Sequence, residues 1–564
     1  MLTIVIGLCG SAIVSFGQDS TKTNNNRIPF KISGGVNGSA IGYTASGIPA
    51  RRDPFYWLLS GNFTLSYWKI TAPFTFTASQ QDQTFRYPQP FNQFGISPNY
   101  KSVTLHLGYR SMNFSEFTLA GPIFLGAGVD VAPEKSKIKV SAMYGRLAKA
   151  REVGGINDLE FGLPSYERWG YGSKITLGKN GNEVDLITFR GRDDPNSLQD
   201  SSATRLGISP AENFVWGLNV RRNISSKVNM NVEYALSAYT KDLRDPEVEL
   251  NNFRYANYLP GLYSPTISSQ FNGAFQGQAS FMAAKYQLNL KYRRLGPEYK
   301  TMGSPFMNND FEDITGGIAS SFFDNRVSVA LNSGVQRNNL SRTQETQVKR
   351  FIGSANLAYS VSEKLNINFS YGNFNSSSKQ VQFLQQSQID VIDSLLYLQV
   401  TNNLTAGVNY TLQQGAIQKS ISSSNSYQVA SDNQGNKSIF YNANLGYQMT
   451  FTPLDFTFNA NFNVNSNKVG MTDNLSAGPT VALMKSFLEK KIRSTFSTSY
   501  IQAYQSRDLA SGNMTFRMAW TYTTKSKHVF GIDTSFLNRD SRLVNSSSFT
   551  EFRGGLTYNY SFSN

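Results

Sequence analysis

The sequence is poor in the residues on which most enzymes and disulfide-stabilised domains depend. Its 564 residues include one cysteine, Cys9, and two histidines, His106 and His528. A single cysteine excludes an internal disulfide, and two isolated histidines leave few candidates for general-base catalysis. No Cys/His/Asp/Glu cluster has metal-site spacing, and no glycine-rich phosphate loop joins a strand to a helix. We therefore expect no cofactor, no metal and no enzymatic activity.

Long hydrophobic runs are also scarce. The one long apolar run covers residues 2–16, which is short for a transmembrane helix. Ser15-Phe16-Gly17 provides small residues at the two positions that a signal peptidase reads, so we predict a signal peptide over residues 1–17. No Lys or Arg precedes the run. A lipoprotein attached through Cys9 is the less favoured alternative, because Leu8 stands where a small residue is wanted.

Charged residues are few, and those present are unbalanced. They make up 16% of the chain and give a formal net charge of +15, while aromatic residues reach 13%. The Lys and Arg residues are dispersed rather than clustered on a recognisable module, so we expect no nucleic-acid partner. Two destinations for the positive charge remain open: an anion-attracting interior, or the phosphates of lipid head groups.

A strict two-residue alternation of apolar and polar side chains fills much of the chain. It is clearest in residues 456–465 (FTFNANFNVN), and it recurs in 228–236 and 365–371. This period predicts β-strands with one apolar and one polar face. Repetition on this scale predicts one closed antiparallel sheet with an apolar outside, the form in which β-structure crosses a bilayer. The mean hydropathy of −0.34 agrees, because barrel strands are apolar only at alternate positions.

Short polar breaks alternate with longer hydrophilic stretches along the chain. The breaks, which predict tight hairpin turns, are 133–137, 179–182, 223–227, 323–326, 362–364, 452–455 and 523–527. The longer stretches, which predict loops on the opposite side, are 193–212, 242–269, 296–310, 376–390 and 539–548. The spacing predicts an all-β, up-and-down transmembrane β-barrel of about 22–24 strands, within four either way, with short periplasmic turns and longer extracellular loops.

The predicted domain organisation is simple. A short N-terminal segment (18–56) follows the signal peptide, and a single outer-membrane barrel occupies 57–564. Residues 80–115 are rich in Pro, Gly and aromatics and resist strand assignment; they either fold into the lumen, cap one mouth or form an ordinary long loop. Too few residues precede the first clear strand, near Gly61, for the globular plug of a TonB-dependent transporter.

Two stretches resemble known outer-membrane proteins. The last segment, 552–562, has an apolar or aromatic residue at alternate positions and resembles the terminal strand signal of outer-membrane barrels, although Ser563 and Asn564 follow it. FNQFGISP (91–98), followed by TLHLGYR (104–110), resembles large, poorly characterised outer-membrane β-barrels of Bacteroidota. The resemblance implies a barrel in the cell outer membrane and leaves the activity open.

Strand parity sorts the charged residues. Taking the aliphatic and aromatic face as outward places these cations inside the barrel: Arg110, Lys139, Arg221, Lys285, Lys291, Arg293, Arg517 and Arg553. The clearest inward acids are Asp130, Glu233 and Asp533. A Lys or Arg facing lipid at mid-bilayer would cost about 2–4 kcal/mol, which supports this parity. The predicted wall is net basic and would favour anionic solutes, unless the charges neutralise one another.

The two histidines give little support for catalysis. His106 shares the inward face with Thr104 and Arg110, where a polar lumen residue is the simpler interpretation. His528 adjoins the turn around Lys525 and Lys527, where an amphipathic ring suits the membrane interface.

Two functions therefore remain open. The first is a porin-like channel for passive passage of polar or anionic solutes. The second is a non-conducting accessory barrel of an envelope machine for outer-membrane protein assembly or protein secretion. Expected partners are the lipid bilayer and lipopolysaccharide, together with outer-membrane proteins or lipoproteins under the second hypothesis.

Overall fold

The structure is a computed structural model, and it describes most of the chain. The described residues are 30–80, 90–152, 164–198, 207–248, 263–305, 307–341, 349–380, 395–432, 435–543 and 546–563. The expected signal peptide, 1–17, lies outside them.

Almost all of the regular structure is β-strand. The strands are β1 Lys31–Ser46, β2 Phe55–Tyr67, β3 Ile70–Ser79, β4 Gln93–Ile96, β5 Asn99–Tyr100, β6 Val103–Asn113, β7 Ala120–Val131, β8 Ile138–Ala148, β9 Arg168–Lys179, β10 Asn182–Asp193, β11 Glu212–Ser225, β12 Val228–Thr240, β13 Ser269–Ala283, β14 Tyr286–Leu295, β15 Phe311–Phe322, β16 Val327–Asn338, β17 Lys349–Ser360, β18 Leu365–Gln380, β19 Leu395–Gln414, β20 Ile417–Asp432, β21 Lys437–Phe451, β22 Phe456–Val469, β23 Thr472–Phe487, β24 Ile492–Gln505, β25 Asp508–Thr523, β26 His528–Ser541 and β27 Phe549–Ser563. A 3-10 turn, Thr452–Leu454, joins β21 to β22. In the described ranges no helix is long and apolar enough to span a membrane.

The strands close into one antiparallel barrel. Neighbours in sequence pair with each other, and β1 pairs with β27 along a register that includes Gly38 opposite Tyr558. The short strands β4 and β5 share one place between β3 and β6. The wall therefore has 26 strand positions, which is within the expected margin around 22–24. The number is at the upper end because several connections contain only two residues.

The alternation in sequence becomes two faces of the wall. In β22 the asparagines from Asn459 to Asn467 take the inward positions, while Phe462 lies 49% exposed on the outer face. On the adjacent strand, Leu445 is 58% exposed beside it. Large apolar side chains are exposed in this way around the outer face, and an exposed apolar surface of this extent requires lipid as its solvent. The protein is a transmembrane β-barrel.

The barrel begins earlier than the expected boundary at residue 57. β1 is a full wall strand of 16 residues, paired on both sides. Its outward positions include Gly38, Ala40 and Gly42 rather than large apolar residues. The two-residue hydrophobic alternation is therefore weak in this strand, so the sequence pattern alone does not identify it as part of the barrel.

The connections on one rim are short, and the expected turns coincide with them. Asn180-Gly181 joins β9 to β10 with positive φ at both residues (56° and 78°), the backbone that a two-residue hairpin requires. In the segment 80–115, residues 93–96, 99–100 and 103–113 are strands of the wall. Residues 81–89 lie outside the described part of the chain.

Candidate functional site

The barrel interior contains a small apolar core of its own. Two connections of the long-loop rim fold into the lumen: residues 114–119, between β6 and β7, and residues 296–310, between β14 and β15, of which 306 is not described. These are called the inner loops. Phe117 and Tyr299, one from each loop, are fully buried and pack on inward side chains of β11–β14. A second cluster places Leu119 and Met302 against β7–β10.

Hydrogen bonds tie the inner loops to each other. The Tyr299 hydroxyl donates to the carbonyl oxygen of Phe117 at 2.6 Å, and the Thr301 hydroxyl donates to the carbonyl oxygen of Thr118 at 2.7 Å. Burial raises the pKa of the Tyr299 hydroxyl well above its ordinary value, so this group remains a donor. The two loops form one unit inside the barrel.

The same unit is held to the wall by buried polar side chains. The Glu233 carboxylate on β12 accepts hydrogen bonds from the backbone amide of Phe117 and from the Gln276 side chain, both at 3.1 Å. Asn213 Oδ1 on β11 accepts one from the Met302 amide at 3.0 Å. Because each acceptor is buried, breaking one of these bonds leaves an unpaired polar group at a cost of about 1–3 kcal/mol.

A cavity of about 470 Å³ adjoins the inner loops on the side of β14–β18. Its polar lining includes Arg293, Arg350 and Gln336, and its apolar lining includes Phe311. Arg293 donates to the Asp313 carboxylate at 2.8 Å, so its charge is neutralised there. The cavity marks the boundary between the filled and the less filled part of the interior.

Carboxylates neutralise several of the expected inward cations. Lys139 lies 2.7 Å from Glu183, and Arg221 bridges Glu183 at 2.7 Å and Asp185 at 3.0 Å. Arg293 also lies 3.5 Å from Glu116 of the inner loops. Between β8 and β15, Lys139, Arg221 and Arg293 therefore occur in ion pairs and not as free cations.

Other expected cations lie inward without such partners. Arg110 donates to Thr75 Oγ1 at 2.7 Å and to the Pro73 carbonyl oxygen. In the register, Lys291 lies opposite Gln278 and Thr315, Arg517 opposite Ser497 and Ser535, and Arg553 opposite Ser535 and Tyr43. Of the described carboxylates, none lies within salt-bridge distance of these four cations.

Three further expected inward charges are Lys285, Asp533 and Glu233. Lys285 lies in the two-residue turn between β13 and β14, because β13 ends at Ala283, and strand parity does not apply to it. Asp533 is an inward wall residue opposite Ala519 and Gly555. Glu233, expected to be one more lumen charge, instead holds the inner loops.

His106 belongs to a Ser–His–Asp arrangement. Its Nε2 lies 2.9 Å from Asp130 Oδ2, and its Nδ1 lies 3.1 Å from Ser97 Oγ. The nitrogens are exchanged relative to a serine-hydrolase triad, where the carboxylate binds Nδ1 and the serine lies at Nε2. The Ser97 amide donates to the Pro73 carbonyl oxygen, so it is not available as an oxyanion donor. The geometry is that of a polar network bracing β4, β6 and β7.

His528 faces outward at the short-turn rim. Its ring stacks on Tyr560 at 4.1 Å between centroids, and its Nδ1 lies 2.9 Å from the Tyr558 hydroxyl. In the described residues no group of three or more His, Cys, Asp or Glu side chains could hold a metal ion.

Opposite the inner loops, the wall of β18–β23 presents an uncharged polar surface. Its inward side chains are amides and hydroxyls from six adjacent strands: Asn366, Asn368, Ser370, Asn403, Thr405, Asn409, Ser420, Ser422, Ser424, Ser426, Asn442, Asn444, Gln448, Asn459, Asn461, Asn463, Asn465, Asn467, Asn474, Ser476 and Thr480. We call this surface the amide arc. Cross-strand bonds such as Asn444 Nδ2 to Asn463 Oδ1 at 2.7 Å order part of it. No apolar core cluster of the described chain includes these strands.

The alternation pattern does not predict the inner core, although the sequence contains a signal for it. In β10, Leu186-Ile187 breaks the alternation, and in β11 Phe214-Val215-Trp216 is apolar at three successive positions. Apolar residues on both faces indicate a strand covered on both sides. In a barrel, the inner cover must come from a loop.

The solved structures compared below are distant barrels. No protein-family model matches the sequence, and no curated protein matches it. Among solved structures, the copper transporter OprC is 8% identical over 96% of this chain and 81% of its own, with a TM-score of 0.41. The translocation pore of the P pilus usher PapC is 10% identical over 95% and 100%, with a TM-score of 0.34. OccAB4 of Acinetobacter baumannii is 11% identical over 71% and 99%, with a TM-score of 0.28. Likeness at this level carries no argument about function.

Proposed function

We propose that the protein is a porin-like channel of the bacterial outer membrane that passes polar solutes. The amide arc is the observation that carries the proposal. Amide and hydroxyl groups replace the hydrogen bonds of a hydrated solute without the strong attraction of a charged wall. Asn461 and Asn465 have no hydrogen-bond partner among the described residues and can offer both donors and acceptors to a solute.

The pairing of inward cations favours neutral polar solutes over anions. Lys139, Arg221 and Arg293 are neutralised by carboxylates, which removes much of the field of the charged wall. The unpaired inward cations are dispersed over β6, β14, β25 and β27. We therefore expect at most a weak preference for anions.

Planar-bilayer recording and liposome swelling test this function. Purified full-length protein is expected to conduct ions and to admit neutral sugars, with a reversal potential close to zero in a salt gradient. The double variant Asn461→Asp, Asn465→Asp adds two carboxylates to the amide arc and is expected to shift selectivity towards cations. The matched control Asn180→Asp, Asn325→Asp adds two carboxylates to turns outside the amide arc and should leave the selectivity unchanged. A barrel that conducts under no salt or voltage condition would falsify the proposal.

The second candidate is a non-conducting accessory barrel of an envelope complex, with outer-membrane proteins or lipoproteins as partners. The inner loops favour it, because they fill part of the interior and are fastened to the wall by Glu233 and Asn213. Purification in mild detergent followed by mass spectrometry tests this candidate. A chain that always migrates alone, and that conducts, would exclude it.

A further inference from the structure

One rim of the barrel consists only of short connections, none longer than six residues, and it carries a large share of the positive charge of the protein. This short-turn rim comprises residues 68–69, 101–102, 132–137, 180–181, 226–227, 284–285, 323–326, 361–364, 415–416, 452–455, 488–491 and 524–527. Its twelve basic residues are Lys69, Lys101, Lys135, Lys137, Lys227, Lys285, Arg326, Lys364, Lys490, Lys491, Lys525 and Lys527. Its five acids are Glu134, Asp324, Glu363, Asp455 and Glu489. The excess of seven positive charges is nearly half of the formal net charge of +15.

Most of these cations are not neutralised by neighbouring acids. Salt bridges join Lys490 to Asp455 at 3.0 Å and Lys491 to Glu489 at 3.6 Å. No carboxylate among the described residues lies within salt-bridge distance of Lys69, Lys101, Lys525 or Lys527. The rim therefore presents a ring of available ammonium groups.

Exposed apolar side chains alternate with the lysines on the same rim. Phe323 is 76% exposed, Leu488 is 65% exposed and Trp68 is 53% exposed, all within turns. A rim that met only water would gain nothing from these side chains. At a lipid surface, such side chains enter the acyl boundary while lysine ammonium groups reach the phosphates.

One local cluster combines both features on the outer surface. The rings of Trp68 and Tyr100 lie 5.8 Å apart, between the turns that follow β2 and β5. The Lys69 ammonium lies 5.3 Å from the Trp68 ring centroid, and the Lys101 ammonium lies 5.1 Å from that of Tyr100. Two cations thus flank an exposed aromatic pair. The cations suit the phosphate of a phospholipid, and the aromatic rings suit the upper part of its acyl chains.

We propose that the short-turn rim binds the phosphate groups of anionic phospholipids in the leaflet that surrounds it, with the Trp68-Lys69-Tyr100-Lys101 cluster as one head-group site. In an outer-membrane barrel this leaflet is the periplasmic one, because short turns face that side. The proposal rests on the membrane-embedded barrel and is independent of conduction. Each basic residue at an anionic surface contributes about a five-fold preference.

The test uses the full-length protein in nanodiscs with equal amounts of phosphatidylglycerol and phosphatidylcholine. After mild detergent extraction, mass spectrometry quantifies the lipids that remain bound. The wild type is expected to retain phosphatidylglycerol in excess. The variant Lys69→Gln, Lys101→Gln, Lys525→Gln, Lys527→Gln is expected to lose most of this excess, whereas the corresponding four Lys→Arg substitutions keep it.

A variant with the same charge change inside the barrel is the matched control. Arg110→Gln, Lys291→Gln, Arg517→Gln, Arg553→Gln removes four cations from the lumen and should leave lipid retention unchanged. Heat-dependent migration in gels verifies that each variant is folded. A variant that fails this check is replaced by the pair Lys69→Gln, Lys101→Gln.

Three results of the lipid measurements would overturn the proposal. They are equal retention of the two lipids by the wild type, unchanged retention by the rim variant, and displacement of phosphatidylglycerol by an equal concentration of inorganic phosphate, which would indicate an adventitious anion only. Capture of a soluble acidic polypeptide without lipid preference would also contradict it. Conductance measured on the same protein separates the two proposals, since its absence would affect the channel and not the lipid site.

Discussion

Removing one oxygen atom, by Tyr299→Phe, is expected to loosen the inner loops without changing the shape of the core. The Tyr299 hydroxyl is buried and donates to the Phe117 carbonyl oxygen at 2.6 Å. The substitution keeps the ring, which packs edge-on against Phe117 at 6.3 Å. It leaves a buried carbonyl oxygen unpaired, at a cost of about 1–3 kcal/mol. The population of detached loops should rise by about 5- to 150-fold, since 1.4 kcal/mol corresponds to a factor of ten.

Thiol labelling measures this population directly. Ala274 lies under the inner loops and is 1% exposed. In a Cys9→Ser background, Ala274→Cys provides a single reporter whose maleimide labelling requires the loops to detach. Labelling should accelerate by the stated factor in Tyr299→Phe, and bilayer recordings should show more frequent excursions to higher conductance.

The control is Tyr410→Phe, which removes a hydroxyl from a tyrosine exposed on the outer face of β19. Its labelling rate should equal that of the parent. Equal rates for Tyr299→Phe and Tyr410→Phe would refute the view that this hydrogen bond holds the inner loops closed.

Three further predictions concern other parts of the structure. Glu233→Ala should accelerate the same labelling, whereas Glu233→Gln keeps an acceptor for the Phe117 amide and should accelerate it less; equal effects would show that the acceptor is not what matters. Hydrogen bonds from the Arg244 side chain lower the pKa of Asp242 in the loop after β12 from 3.8 to about 2, so the turn gains stability above about pH 4 and loses it as the pH falls towards 2. Hydrogen exchange of residues 241–248, corrected for intrinsic rates, should increase over that range in the wild type and lose this pH dependence in Asp242→Asn. A fluorophosphonate should not label Ser97, because the histidine nitrogens are exchanged and the Ser97 amide is not available as an oxyanion donor. Labelling of the wild type that is lost in His106→Ala would contradict this.

The wall could be predicted because lipid and lumen impose different chemistry on alternate residues. In β22, Asn459, Asn461 and Asn463 are each followed by an apolar residue, so the period alone assigns the strand and its faces. The same parity places Lys139, Arg221 and Arg293 inside. β1 is not recognised as a wall strand because Gly34, Gly38, Ala40 and Gly42 occupy four of its outward positions, so little apolar area marks that face.

The inner core could not be predicted from the wall pattern. Val215 and Ala235 are the same residue types that face lipid elsewhere, and only the approach of residues 114–119 and 296–310 from distant positions makes their face an interior. Ion pairs such as Arg221–Asp185 connect residues on separate strands and depend on registers that periodicity does not specify. Strand parity therefore predicts which cations face the lumen. It does not predict which carboxylates neutralise them, because that depends on the register between strands.

The pairing of β1 with β27 has a consequence for biogenesis. β1 finds one of its two neighbours only in β27, where Ser33 pairs with Ser563. Until β27 is available, the free edge of β1 is a template for wrong pairing and aggregation. Pairing two strands that are so far apart in the sequence is slow, because closing the intervening loop costs conformational entropy. We therefore expect the pairing of β1 with β27 to be the last step of barrel closure and the step most sensitive to assembly defects.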